Sequence, residues 1–289
     1  MSLKDNLYWK IFGLVRKANI IKYSKITDDK RSAPPFKLVY FCGSKGIDFL
    51  NASLFSVYKS WTVLPEVVIV SDGTPADVIL SKIIRWPRNI EVISWETCAL
   101  HFKDKGQINV YDYAVKELWG KKFVCIHYCA QMFPTLYCDT DVLWFKDVNK
   151  IDTSINPFIQ MSQDVHVCYT QAILDTLNVN QYKDTTPFNA GVMYLNGNLS
   201  VYPNWEELSN YLALNRNLGG FSEQTANAVI TNYFNPKQYW TANEILIKIA
   251  DKYKFGYTKW KHKQIIARHY VNNKDITFWR DFAYMFLFS

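Results

Sequence analysis

Asp139 and Asp141 stand one residue apart in "LYCDTDVLWF" (136–145), at the end of an otherwise apolar run. Like charges this close raise each other's pKa unless something positive lies between them. A divalent cation is the simplest such partner. A D-x-D at a strand end lets one carboxylate ligate a metal while the other reaches a ligand hydroxyl or bonds the metal through water. Alternate strand residues otherwise diverge, so a bend must bring both forward. A solvated turn explains many such pairs, but the apolar "PTLYC" before and "VLWF" after argue against idle exposure of both charges.

His269 in "QIIARHYV" follows Asp141 by 128 residues. A neutral imidazole suits Mn²⁺ when carboxylates fill other positions, although a half-buried core histidine is equally ordinary chemistry. In "FNAGVMYLN" (188–196), Asn189 offers a donor and an acceptor to the hydroxyls of a ligand. Ala190 and Gly191 there keep a wall thin enough for a ring to approach the backbone. In "SEQTANAV" (222–229), Ser222 suits an N-cap and Glu223 a first helical turn, whereas Gln224 has no capping reason.

The elements that must position these groups follow from periodicity. "KLVYFCG" (37–43), "EVVIVSDG" (66–73) and "IEVISW" (90–95) are short β-branched runs with helical segments between them. That alternation predicts a mostly parallel sheet covered on both faces, with ligands at the carboxyl ends of the strands. "CGSKG" and "SDGT" lie at such ends, which makes the backbone of Phe41, Cys42 and Gly43, with Asp72, candidates for ligand contact. Residues 111–132 read as helix, "TLYCDTDVLWF" as the strand that carries the Asp pair, and "NWEELSNYLAL" and "SEQTANAVITNYF" as later helices.

The chain of 289 residues, 49% hydrophobic and 20% charged, can bury a large core. Its net charge of +7 is uneven, because residues 1–36 hold eight Lys/Arg against three Asp/Glu. This arm carries an amphipathic basic helix over 3–23, broken by "DDKRSAPPF". Nucleic acid is therefore not an expected partner of the rest, while an anionic membrane surface is one for the arm. The aromatic tail "FWRDFAYMFLFS" either adds to that contact or packs on the domain. No signal peptide and no run of about 18 apolar residues is legible, so a cytoplasmic chain, peripheral at most on the inner face of a membrane, is expected. Six scattered cysteines without a CxxC pair read as reduced, mostly buried thiols.

Taken in order, "LYCDTDVLW", "FNAGVMYLN", "SEQTANAV" and "RHYV" resemble the motifs of the GT-A glycosyltransferases, and within them the retaining family typified by glycogenin and bacterial lipopolysaccharide galactosyltransferases. The resemblance spans about residues 37–275 and implies three segments: an arm and linker over 1–36, a catalytic domain over 37–275 and a tail over 276–289. It implies a GT-A fold, a Rossmann-like mixed sheet, and transfer of a hexose from a nucleotide diphosphate sugar, UDP-sugars favoured, to a saccharide or lipid-linked acceptor with retention. It also implies Mn²⁺ or Mg²⁺ held by Asp139, Asp141 and His269. Gln224 would lie near the reacting carbon, with Glu223 a conditional nucleophile. Lys122, 17 residues before Asp139, would reach the donor together with Thr140, Asn189, Ala190, Gly191 and Lys274, and the backbone of Phe41, Cys42 and Gly43, with Asp72, would hold its base. The chain departs from the family pattern at Thr225, where a second Asp is usual, and at "VNNKD", where a Gly-containing loop is usual.

"YCDTDVL" also fits the signature of phosphatases that use the first Asp as nucleophile, but no G-D or D-D pair follows Asp141 to complete their metal site. A nucleotide-sugar-binding protein without turnover is the third reading.

Overall fold

A computed structural model describes residues 31–148, 151–215, 219–247, 265–271 and 274–288, with Leu7, Lys10, Ile11, Gly13, Leu14, Arg16 and Ile26 of the arm. The three predicted strands form as β1 (Lys37–Cys42), β2 (Val67–Ser71) and β3 (Ile90–Ser94), separated by α1 (Ile47–Ser60) and the short α2 (Ala76–Leu80). They pair in parallel, and β4 (Thr135–Cys138) joins β1 in parallel on the other side. Alternate residues feed opposite faces. Val39, Val68, Val70 and Tyr137 enter one apolar layer; Leu38, Tyr40, Val67, Ile69 and Leu136 enter the other. Burial on both faces explains why these strands read as continuous apolar runs.

The segment expected as one helix over 111–132 is preceded by α3 (Trp95–Asp104) and is itself two helices, α4 (Ile108–Lys116) and α5 (Leu118–Met132). The break at Glu117 lets α5 cross tightly over α4. A Cβ at Gly120 would meet the Tyr113 carbonyl oxygen at 2.2 Å. Glycine there fixes the approach that aims the first turns of α5 at the sheet edge.

After β4 the chain leaves the main sheet. β5 (Val142–Trp144) belongs to a separate three-stranded sheet with β9 (Ile245–Leu246) and β10 (Ala267–His269), in the order β5-β10-β9. "TLYCDTDVLWF" is thus two strands in two sheets, and the bend between them holds both carboxylates. The main sheet is completed by β6 (Phe158–Gln163), β7 (Phe188–Asn196) and β8 (Tyr239–Trp240), giving the order β3-β2-β1-β4-β7-β6-β8. β7 runs antiparallel to both β4 and β6, so the sheet is mixed. Helices α6 (Gln171–Thr176), α7 (Trp205–Leu214) and α8 (Phe221–Phe234) connect and cover these strands.

The C-terminal α9 (Lys274–Phe288) packs on α1. Phe278, Trp279 and Phe282 are buried with Phe49, Phe55 and Leu143 in a third apolar cluster, and each such ring contributes about 1.5–3 kcal/mol by leaving water. Of the two readings of the aromatic tail, packing on the domain is the one these rings follow. In the arm, Leu7, Ile11 and Leu14 are 57%, 46% and 64% exposed, while Arg16 pairs with Asp48 at 3.1 Å. Among the described residues no helix is long and apolar enough to cross a membrane.

Candidate functional site

The bend after β4 is pinned from both sides. The Asp139 amide donates to the Gly191 carbonyl at 2.8 Å, and the Tyr270 amide donates to the Asp141 carbonyl at 2.9 Å. Antiparallel pairing of β10 with β5 sets His269 opposite Val142, which closes the 128-residue gap to Asp141. His269 Nε2 lies 3.5 Å from Asp139 Oδ2 and 3.5 Å from Asp141 Oδ1. Ligand atoms of the three residues all fall within 4.8 Å of one another, the only such group among the described residues.

A bulge in β7 builds the opposite wall. Ser162 of β6 pairs with Asn189 and Met161 with Met193, so Ala190, Gly191 and Val192 have no partner on β6. Backbone released by a bulge can point elsewhere. The Ala190 carbonyl accepts from Lys122 Nζ at 3.3 Å, and the Ala190 amide donates to Gln224 Oε1 at 3.4 Å. A Cβ at Gly191 would stand 2.3 Å from the His269 ring. Gly191→Ala should therefore push the imidazole off the carboxylates and weaken Mn²⁺ binding by about 10 to 100-fold, the size of effect seen when the supports of a metal ligand are lost. Calorimetric Mn²⁺ titration checks this; an unchanged affinity would mean the ring is not a ligand.

Asn189 orients that ring. Its Oδ1 accepts from the Gly191 amide at 2.8 Å, which settles which end of the amide faces His269 Nδ1 at 3.0 Å. An amide oxygen only accepts, so Nδ1 carries a proton and Nε2 is the nitrogen turned to the carboxylates. Asn189 Nδ2 donates to Asp164 Oδ2 at 2.9 Å. The sequence offered this amide to sugar hydroxyls; the fold engages both its ends inside the protein. Burial, the largest influence, opposes charge on His269, but Asp141 and then Asp139 overcome it and raise its pKa. Two carboxylates and an imidazole with its Nδ1 proton held in place form a donor set that fits Mn²⁺ or Mg²⁺.

Lys122 joins the site to a second carboxylate. Its ammonium lies 3.1 Å from Asp139 Oδ1 and 3.4 Å from Glu223 Oε2, with side chains of Lys122 and Glu223 only 7% and 1% exposed. Burial works against the Lys122 charge, yet Asp139 and Glu223 together hold its pKa well above the usual lysine range. One cation between two carboxylates leaves a negative charge in excess. Glu223 absorbs it: burial first, then the charge of Asp139, pushes its pKa to about 7 against the pull of Lys122. Glu223 Oε1 accepts from Asn227 Nδ2 at 2.6 Å, and Asn227 Oδ1 accepts in turn from His127 Nε2 at 3.0 Å. His127 is kept neutral by burial, which lowers its pKa to about 4.

Asp139, Asp141, His269, Lys122 and Glu223 line one cavity of about 690 Å³, together with Gln224, Asn189, Ala190 and Gly191. Gln224 Nε2 donates to the Cys168 carbonyl at 3.2 Å. Ser222 is not the helix cap that its type suggested: α8 starts at Phe221 with Gly220 as N-cap, two residues earlier, and the Ser222 hydroxyl meets Tyr113 Oη at 2.9 Å and donates to the Gly219 carbonyl at 2.9 Å. Thr225 is fully buried. Its hydroxyl accepts from the Thr170 amide at 2.7 Å and donates to the Phe221 carbonyl at 2.6 Å, which fastens the loop before α6 to α8.

The candidates for the base lie apart from these walls. Phe41 and Cys42 end β1 and Gly43 follows it; Asp72 presses on Gly43, where a Cβ would meet its carboxylate at 1.8 Å. Asp72 Oδ1 accepts from the Thr74 amide at 3.1 Å and its hydroxyl at 2.8 Å, closing an Asx turn. Cys42 is a neutral thiol, pushed up to about 12 by burial and then by Asp72. Thr140, in the bend, reaches within 3.7 Å of the Gly46 Cβ position and so links this cluster to the carboxylates. The side chain of Lys274 lies outside the described residues. All six cysteines are free, five of them buried. Asp164, buried at the carboxyl end of β6 and lining the cavity, was not singled out in the sequence. Its place beside "FNAGV" follows only from the β6–β7 pairing.

The sequence matches no family model and no curated protein sequence. The fold does have relatives among solved structures. The apo form of mouse xyloside xylosyltransferase 1 superposes with a TM-score of 0.54 at 13% identity, over 83% of this chain and 98% of that one. The apo structure of WbbM, a bifunctional glycosyltransferase, superposes with a TM-score of 0.52 at 14% identity, over 92% of this chain and 51% of that longer one. With its mixed sheet and its D-x-D bend, the chain has the GT-A fold of nucleotide-diphospho-sugar transferases.

Proposed function

We propose that this chain is a metal-dependent hexosyltransferase that moves a hexose from a nucleotide diphosphate sugar, UDP-sugars favoured, to a saccharide or lipid-linked acceptor with retention at the reacting carbon. The observation that carries the reading is the convergence of Asp139, Asp141 and His269 on a cavity whose floor holds Gln224 and Glu223. A Mn²⁺ or Mg²⁺ ion held by these three residues would neutralise the diphosphate as it leaves. Lys122 fixes the orientation of Asp139 and keeps Glu223 directed at the floor. Gln224 is the side chain we assign to the reacting carbon, and Glu223, with its pKa near 7, is the group able to hold or give up a proton there. Phe41, Cys42, Gly43, Asp72, Thr140 and Lys274 are assigned to the base and phosphate side of the donor. The arm, with its exposed Leu7, Ile11 and Leu14 on a basic helix, supports peripheral attachment to an anionic cytoplasmic surface.

Thermal unfolding with a panel of nucleotide sugars, with and without Mn²⁺, tests the reading. At a hundredfold excess over Kd a true donor stabilises by about 2.7 kcal/mol, a rise of about 5–10 °C for a domain of this size. We expect that rise from a UDP-sugar only with the metal present, followed by slow release of UDP. Hydrolysis of p-nitrophenyl phosphate without any nucleotide-sugar effect would instead establish the phosphatase reading. A metal-dependent shift without UDP release would mark a binding protein.

A further inference from the structure

Two buried polar side chains back Glu223 on the side away from the cavity. Asn227 follows Glu223 by one turn of α8, His127 lies on α5, and neither lines the cavity. Their hydrogen bonds have a fixed polarity. Asn227 Nδ2 donates to the Glu223 carbonyl at 3.1 Å, and a carbonyl only accepts, so the nitrogen end of this amide faces Glu223. The same Nδ2 donates to Glu223 Oε1 at 2.6 Å. Asn227 Oδ1 is thereby turned to His127 Nε2 at 3.0 Å, and that nitrogen must carry the single proton of a neutral imidazole. The Phe123 and Trp205 rings, with centroids 4.2 and 5.3 Å from that of His127, keep the imidazole in place. Oε1 is thus committed as an acceptor, so a proton taken up by Glu223 sits on Oε2. Lys122 Nζ, 3.4 Å from Oε2, belongs to the cavity wall, which makes Oε2 the cavity-side oxygen. An ammonium only donates, so the Oε2 proton turns away from it.

We propose that His127 and Asn227 are positioning residues for the transfer: His127 fixes the Asn227 amide, which commits Glu223 Oε1 to the protein and leaves Oε2 as the one carboxyl oxygen offered to a sugar hydroxyl. This rests on the hexosyltransferase reading, which puts the donor hexose against Glu223. The pair also tunes the group it holds. A hydrogen bond donated to a carboxylate favours the charged form, so Asn227 keeps Glu223 below the value that burial alone would set. The other groups that face Glu223 are the charges of Lys122 on α5 and Asp139 after β4, with Tyr113 of α4 and Tyr137 of β4. Burial pushes both phenols upward and lowers His127 to about 4, so none of these three titrates where Glu223 does, at about 7.

Steady-state release of UDP from UDP-glucose and UDP-galactose with Mn²⁺, followed from about pH 5 to 9 in the full chain, tests the pair. His127→Leu and Asn227→Leu should each lower kcat about tenfold with KM for the donor within about twofold, because the carboxyl is present but loosely aimed. The midpoint of the limb that Glu223 controls should move to higher pH, since the bond that favoured its charged form is gone. His127→Gln, whose amide can again donate to Asn227 Oδ1, should bring kcat back to within about threefold of the native chain. Unchanged kcat and midpoint in both leucine variants, or a glutamine variant no better than leucine, would overturn the proposal. Nitrogen-15 NMR of the native chain decides without any variant: the His127 ring should be neutral with its proton on Nε2, and a proton on Nδ1 would refute the arrangement. Absence of UDP release from the native chain would count against the hexosyltransferase reading instead. Carbon-13 titration of the Glu223 carboxyl, assigned with Glu223→Gln, then still decides whether the pair governs Glu223. A midpoint that rises in Asn227→Leu supports that, and one that stays at the native value of about 7 refutes it.

Discussion

Replacing His269 by alanine should lower Mn²⁺-dependent turnover of the donor at least tenfold and move the Mn²⁺ titration midpoint upward by a similar factor. Loss of a ligand costs no less than the roughly 10 to 100-fold seen when only the support of a ligand is removed. The geometry behind the expectation is specific. Asn189 holds the Nδ1 proton, so Nε2, 3.5 Å from each carboxylate, is the only imidazole atom offered to an ion. Asp139 and Asp141 remain after the substitution, and weak residual binding is expected at high Mn²⁺. If His269 served only the core, the variant would melt lower while its Mn²⁺ midpoint stayed in place. That outcome would remove the imidazole from the site.

Lys122→Met should destabilise the chain above neutral pH, by about 1.4 kcal/mol for each unit by which pH exceeds the native Glu223 value of about 7, because it leaves Glu223 in the interior without its cation. The loss should depend on pH with a definite sign. A carboxyl whose folded pKa is raised contributes stability that is present at low pH and lost as pH rises through that value. For Glu223 the window runs from the ordinary carboxylate range of about 4.3 to about 7 in the native chain. Without Lys122 the upper limit moves higher, so the gap between variant and native chain should be small near pH 5, where Glu223 is neutral in both. It should widen toward pH 8. Denaturant unfolding at the two pH values measures it, and a gap below about 1 kcal/mol, or one that ignores pH, would show that Lys122 and Glu223 are not coupled as their 3.4 Å separation implies.

The elements were legible where a residue's neighbours in the chain are also its neighbours in space. "KLVYFC", "VVIVS" and "FNAGVMYLN" have side chains buried on both faces, and that burial writes itself into the sequence as β-branched and aromatic runs. The Asp pair stood out for the same reason, as charge set into an apolar stretch that no solvated turn would need. Lys122, Asn189, Gln224 and His269 were found as marked types in marked motifs. Their partners were not. That Asn189 points inward to His269 and Asp164 rests on a bulge in β7, and a bulge is a choice of register between strands that neither strand encodes alone. That Glu223 takes a proton rests on how far its own carboxyl is withdrawn from water and on the charge of Asp139 nearby, which together outweigh Lys122, a property of the packed interior. The tail "FWRDFAYMFLFS" carries rings that suit a lipid surface and a protein core equally; only the apolar face of α1, with Phe49 and Phe55, decides between them. Composition and local periodicity thus determined the strands, the helices and the chemical types at the site. Tertiary structure decided which of those types meet, because pairing across 128 residues is set by free energy summed over the whole core.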